Sequence, residues 1–243
     1  MNPTELYWKV RETEGRVYPD ALLARLPEVP ANHPLSEEWQ VRADSSVRLV
    51  RYLRLDSRPL KILEIGCGNG WFSARLAQLP GIFVVGLDRN LPELAQAARV
   101  FIPSNLVFVA ADILFAPLAH GSFDLIMLAS VIQYIPDLVA FLRSLLPLLT
   151  AGGEIHMLDS PLYRVEEIPA ARERTRTYYR SIGFPEMADY YFHHPVSALT
   201  EFSPRWLYRP QGWQIRLARR FGRSVSPFPW ICIRQESQIC TFD

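Results

Sequence analysis

Between Leu60 and Leu158 the chain repeats one pattern: a short apolar run, a break, then a stretch with helical spacing. The runs LKILEI (60–65), IFVVGL (82–87), LVFVA (106–110), FDLIML (123–128) and GEIHML (153–158) lack strict alternation of polar and apolar residues. Strands of that kind are buried on both faces, as in a parallel sheet with helices on either side. Helical patterns at 70–79, 91–101 and 137–149 supply the crossovers; Pro80-Gly81 ends the first and Pro147 perturbs the last turn of the third. Right-handed crossovers then predict a doubly wound α/β fold with a mostly parallel sheet.

The flanks differ in character. Residues 1–35 hold five prolines and are expected to be irregular. A helix is expected from Ser36, read as its N-cap ahead of Glu37 and Glu38, with Trp39, Ala43, Val47 and Val50 at helical spacing and a stop at Arg58-Pro59. Beyond Pro161 a helix is expected over 166–182, then an irregular aromatic stretch over 183–212. WQIRLAR (213–219) and PWICIRQ (229–235) read as a terminal pair of strands. With 243 residues, 49% of them hydrophobic, one domain with one sizeable core is the natural organisation. Its segments are an N-terminal helical cap (1–58), a ligand-binding core (59–160), an aromatic-rich cap insertion (161–212) and the strand pair (213–243).

The first strand runs into Gly66-Cys67-Gly68-Asn69-Gly70 and a helix follows. Glycines there permit a tight turn and let backbone N–H groups approach a ligand, while the helix N-terminus favours an anionic group. Asp88 ends the second strand, where a carboxylate can accept from two ribose hydroxyls. Both features suit a nicotinamide enzyme and an adenosylmethionine enzyme alike. Dinucleotide loops read G-x-G-x-x-G, however, and Trp71 fits poorly where a helix must pack tightly beneath a pyrophosphate.

The segments LEIGCGNGWFSARLA, VVGLDRN, FVAADILFAPLAHGSFDLIMLASVIQYIPD and LLPLLTAGGEIHMLDSP, in this order, resemble the successive motifs of class I S-adenosylmethionine-dependent methyltransferases over roughly residues 60–160. The resemblance implies a Rossmann-like seven-stranded sheet and S-adenosyl-L-methionine as cofactor. It implies that Gly66, Gly68 and the backbone at Cys67 face the methionine part, and that Glu64 orients the loop and reaches toward the amino group. Asp88 would hold the ribose, with Arg89 beside the adenine. Asp112 would accept from the adenine amino group, and the Ile113 N–H would bind a ring nitrogen. Ala129 and Ser130 would lie under the sulfonium. Asp124 is read as a structural turn residue.

The acceptor must be recognised outside that core. Residues 161–213 are dense in aromatics, including Tyr178-Tyr179 and Tyr190-Tyr191-Phe192, and are read as a cap around a small, partly apolar acceptor. O- or N-methylation is expected, and a proton must then be taken from the acceptor. His193 and His194 in the cap are the candidate bases, His194 first because Pro195 restrains its backbone, with Tyr134 next. His156 is read as structural. Arg172, Arg176 and Arg180 share one helical face, read as solvated or, alternatively, as an anion site. A non-catalytic binding protein of the same fold and a nicotinamide oxidoreductase are the competing readings.

A net charge of +1 provides no footprint for nucleic acid, and a base-gripping Asn-Pro-Pro-Tyr type motif is missing after the fourth strand. Cys67, Cys232 and Cys240 are too scattered for a disulfide framework, and no spacing suggests a metal centre. The start MNPTELYWKVRETEG lacks a signal-peptide core, and apolar runs fall short of the roughly 18 residues a membrane span needs. A cytoplasmic protein acting on a small molecule, without membrane or nucleic-acid partners, is therefore expected.

Overall fold

A computed structural model describes residues 2–55, 58–210, 212–221 and 225–235; Cys240 and the last residues of the expected terminal segment lie outside them. Strands β1 (Leu60–Ile65), β2 (Ile82–Asp88), β3 (Leu106–Ala110), β4 (Phe123–Ala129), β5 (Leu149–Leu158), β6 (Arg205–Tyr208) and β7 (Trp230–Arg234) form one sheet in the order β3-β2-β1-β4-β5-β7-β6. The first five run parallel, while β7 is antiparallel to β5 and β6 is antiparallel to β7. The doubly wound, mostly parallel seven-stranded architecture is as expected.

The helices are α1 (Pro3–Thr13), α2 (Asp20–Leu23), α3 (Ser36–Leu53), α4 (Trp71–Ala77), α5 (Leu91–Val100), α6 (Leu138–Leu145), α7 (Ile168–Ser181) and α8 (Gly212–Arg220). Successive strand residues point to opposite faces, so the sheet separates two cores. Leu63, Ile65, Ile126 and Leu128 pack with Phe141, Leu142 and Leu145 of α6 on one face. Ile62, Leu125 and Met127 pack with Leu49 and Leu53 of α3 and Phe72 and Leu76 of α4 on the other. Each such fully buried side chain contributes about 1.5–3 kcal/mol of burial. As Pro147 suggested, α6 tightens into a 3-10 turn over Leu146–Leu148.

Three expectations are corrected. Residues 1–35 are not irregular throughout. Asn2 and Glu5 form a reciprocal capping box with Pro3 in the first turn, and α1 follows. Ser36 lies inside α3 after Leu35 and makes no side-chain cap. Residues 213–219 are helical rather than a strand, and Arg205–Tyr208 pairs with β7 in their place. The period-two run Trp213, Ile215, Leu217 misled because straight-chain Arg and Leu are good helix formers and a short apolar run fits either period. Among the described residues no helix is long and apolar enough to cross a membrane.

A third, smaller cluster stands apart from the sheet. Leu6 and Val10 of α1 pack on Tyr179 of α7 and on Met187, with Tyr134 and Tyr191 against them. It joins the N-terminal cap to the aromatic insertion above the C-terminal ends of the strands.

Candidate active site

The site grows from the turn between β1 and α4. Gly66, Gly68 and Gly70 have φ of +70°, +52° and +74°, the left-handed region that side chains avoid. A Cβ at Gly66 would lie 2.5 Å from Val131, and one at Gly70 would lie 2.5 Å from the Phe108 ring. The N–H groups of Gly66 and Cys67 donate back to the Leu87 carbonyl at 2.7 and 3.1 Å, tying the loop to β2. The Asp88 carboxylate accepts from the Gly68 N–H at 2.7 Å and the Asn90 N–H at 2.8 Å. It therefore shapes the loop as well as ending the strand.

Above the loop lies a cavity of about 1100 Å³. Glu64, Gly66, Cys67, Gly68, Ala129 and Ser130 line one end of it. Tyr134, Tyr178, Tyr179 and Tyr191 come from the cap side, and Tyr7, Tyr18 and Trp39 from the N-terminal segment. The tyrosines brace one another edge to face: Tyr7 against Tyr134 at 5.4 Å and Tyr134 against Tyr191 at 5.8 Å between ring centroids. Burial raises the phenols of Tyr7, Tyr134, Tyr179 and Tyr191, so they line the cavity as neutral hydroxyls. Trp71 packs edge-on to Trp39 at 5.3 Å and stacks on Phe72 at 4.9 Å, closing the floor.

Charged groups on the wall are mostly paired. Arg11 reaches from α1 to Glu93 of α5 at 3.2 Å, and Glu93 is only 4% exposed. Arg16 pairs with Glu14 at 2.8 Å and Glu38 at 2.5 Å, and Arg42 also meets Glu38 at 3.0 Å; against the effect of burial, these arginines hold the Glu38 carboxyl down at about 2. Glu64 is buried, accepts from the Ser73 hydroxyl, and burial pushes its carboxyl up to about 8. The sequence had singled out Glu64, Ala129, Ser130 and Tyr134 and the cap aromatics Tyr178, Tyr179 and Tyr191, but not Tyr7, Arg11, Arg16 or Glu93 as site residues. Asn2-x-x-Glu5 was the available sign that a helix carries Tyr7 and Arg11 to the site.

Asp88, Arg89, Asp112 and Ile113 are not on the cavity wall but follow it along the ends of β2 and β3. Arg89 approaches Asp112 at 3.4 Å, and Asp112 accepts from the Leu114 N–H at 3.0 Å. The two cap histidines are placed differently from expectation. Neither lines the cavity. His193 bonds Thr175 through Nε2 at 2.9 Å, and His194 Nε2 lies 2.9 Å from the Ile132 carbonyl. Their strand-like segment is stitched down by Tyr163 N–H to His194 O at 3.0 Å and Phe192 N–H to Gln133 O at 2.7 Å. Burial lowers both imidazoles, so they act as neutral packing and bonding groups. Arg172, Arg176 and Arg180 are exposed, while Arg174, between them, reaches the cavity. Asp124 accepts from the Lys61 N–H at 2.8 Å and from Thr150 at 3.2 Å, a structural placement.

Glu154, His156 and Cys232 come together between β5 and β7, a grouping not visible in the sequence spacing. Both His156 nitrogens are engaged, one with Glu154 at 3.0 Å and one by the Trp230 indole N–H at 3.0 Å. None of the three lines the cavity.

A methyltransferase domain family model matches residues 56–211 of this chain. The chain belongs to that family. The methyltransferase domain is 33% identical over 95 residues to an uncharacterized methyltransferase of Mycobacterium tuberculosis (strain ATCC 25618 / H37Rv), covering 39% of this chain and 47% of the relative. It is 30% identical over 142 residues to a malonyl-[acyl-carrier protein] O-methyltransferase of Legionella pneumophila, covering 58% and 49%. The matched part thus spans about half the length of these relatives. Among solved structures, an S-adenosylmethionine dependent methyltransferase from Mesorhizobium loti superposes with a TM-score of 0.54 at 20% identity, over 77% of this chain and 96% of that one. The fold is that of class I methyltransferases.

Proposed function

We propose that this protein methylates a small-molecule acceptor at oxygen or nitrogen, using S-adenosylmethionine. The observation that carries this is the single cavity of about 1100 Å³ with the glycine loop at one end and a wall of neutral tyrosines at the other. That volume exceeds what one cofactor of this size occupies and leaves room for a small acceptor beside it. The oxygen preference draws support from the ubiquinone biosynthesis O-methyltransferases among the relatives.

The chain's residues fit the cofactor. Glu64, buried with no cationic partner among the described residues, would meet the ammonium, and the α4 N-terminus would favour the carboxylate. Asp88 would accept from the ribose, and Asp112, Arg89 and the Ile113 N–H would hold the adenine edge. Ala129 and Ser130 would line the space around the reacting centre. When bound, the cofactor supplies an activated methyl group on a good leaving group. The protein's part is to hold the acceptor in line, exclude water and receive the acceptor's proton. The N-terminal segment and the cap insertion provide the exclusion.

The test is incubation with methyl-labelled S-adenosylmethionine and a cell-free small-molecule extract, followed by mass spectrometry. Label in a small O- or N-methyl product is the expected result. Label confined to macromolecules, or found on carbon or sulfur, would replace this reading.

A further inference from the structure

Two residues other than glycine adopt left-handed backbone at neighbouring strand ends of the cavity: Ser130 after β4, with φ +58°, and Asp159 after β5, with φ +51°. They are locked together. The Ser130 N–H donates to the Leu158 carbonyl and its hydroxyl donates to the Asp159 carbonyl, each at 3.0 Å. Such conformations persist only where surrounding structure imposes them, and they concentrate at functional sites. Asp159 and Ser130 both line the cavity.

The Asp159 carboxylate is 8% exposed and has no ion pair among the described residues. Its Oδ1 accepts from the Ser45 hydroxyl of α3 at 2.6 Å. The cavity's half-buried Glu38 is engaged with arginines, its buried Glu93 with Arg11, and its buried Glu64 with Ser73 at the glycine loop. The histidines and tyrosines do not compete for a base's role, for the reasons given above.

We infer that Asp159 is the catalytic base, accepting the proton of a hydroxyl or amine acceptor, so that carboxylates are not the acceptor class. This rests on the S-adenosylmethionine reading of the cavity. As the acceptor oxygen or nitrogen bonds the methyl carbon, the carbon–sulfur bond breaks with its electron pair going to sulfur. The acceptor proton passes to Asp159. A carboxylate acceptor carries no proton to give and would meet like charge. The groups facing Asp159 are the Ser45 hydroxyl and the more distant Arg42 and Arg48 of α3, Ser226 of the segment before β7, and Ser130. Burial raises the Asp159 carboxyl despite the two arginines, which strengthens it as a base and places the acidic limb of turnover above the ordinary aspartate range.

Asp159→Asn is the decisive variant, because asparagine also tolerates left-handed backbone and keeps the Ser45 contact. Calorimetry with S-adenosylhomocysteine should give wild type and variant affinities within about threefold. Label transfer from methyl-labelled S-adenosylmethionine into the small-molecule extract should fall at least about a hundredfold in the variant, and its acidic limb should vanish. The labelled product should be stable to mild alkali, as methyl ethers and amines are. Release of the label as methanol would reveal a methyl ester and overturn the acceptor class. Unchanged turnover in Asp159→Asn, or wild type that binds S-adenosylhomocysteine yet labels nothing in the extract, would overturn the base assignment. Wild type that fails to bind S-adenosylhomocysteine would instead remove the cofactor reading beneath it.

Discussion

Glu64 shows how one side chain ties stability to ligand. Its carboxyl is held up at about 8 against an ordinary 4.5, because burial without a cation favours the neutral form. Below pH 4.5 the group is protonated both folded and unfolded, and nothing is lost. Between about 4.5 and 8 the unfolded chain binds fewer protons than the folded one, so this group erodes stability as pH rises. Glu64→Gln should remove that slope, and its thermal midpoint should gain on wild type from pH 5 to pH 8. An ammonium beside Glu64 reverses the shift. Binding of S-adenosylhomocysteine at pH 7 should therefore release a proton, seen as a binding enthalpy that varies with the buffer's ionisation heat. The variant should show no such dependence. The positions of Glu64 and Asp88 in the strand-to-loop pattern were legible in the sequence. Asp159 was not, although it directly follows β5 much as Asp88 ends β2, because its left-handed backbone has no local sequence signature.

At the level of elements, the turn before α4 is where backbone and packing constraints coincide. Gly70→Ala meets both a positive φ and contacts of 2.5 Å to Phe108 and 2.9 Å to Ala97. Gly152 has φ +76° but open space around it. Urea denaturation should show about 1 kcal/mol lost for Gly152→Ala and about 2–4 kcal/mol for Gly70→Ala, where overpacking adds to strain. The four inner parallel strands were readable because burial on both faces leaves apolar runs in the chain itself; β3, at the edge, carries such a run although none of its residues is fully buried. α8 and β6 were misread because edge strands and amphipathic helices are told apart by tertiary partners. The 3-10 turns over Pro185–Tyr190 and Val196–Phe202 similarly owe their form to the cap they pack into rather than to any period.

For the molecule as a whole, the sheet is the fixed part, and the roof of the cavity is assembled from two distant stretches of chain. Arg11 anchors one of them to the sheet's own layer by bridging to Glu93. Arg11→Ala would leave that nearly fully buried carboxylate with, among the described residues, only Asn90 as a side-chain hydrogen-bond partner, at 3.2 Å. A loss of about 3 kcal/mol in urea stability is expected. Sequence patterning could announce the sheet but not this roof, since a contact between residues 11 and 93 leaves no trace in either neighbourhood. The small cluster of Leu6, Val10, Tyr179 and Met187 has a kinetic meaning as well. The two halves of the roof grip each other through this cluster, its partly buried neighbours and the Tyr178 hydroxyl bonded to Glu14, so wider opening of the chamber is expected to need that seam to loosen. The residence time of a ligand in that chamber is then expected to shorten when one of these side chains is truncated.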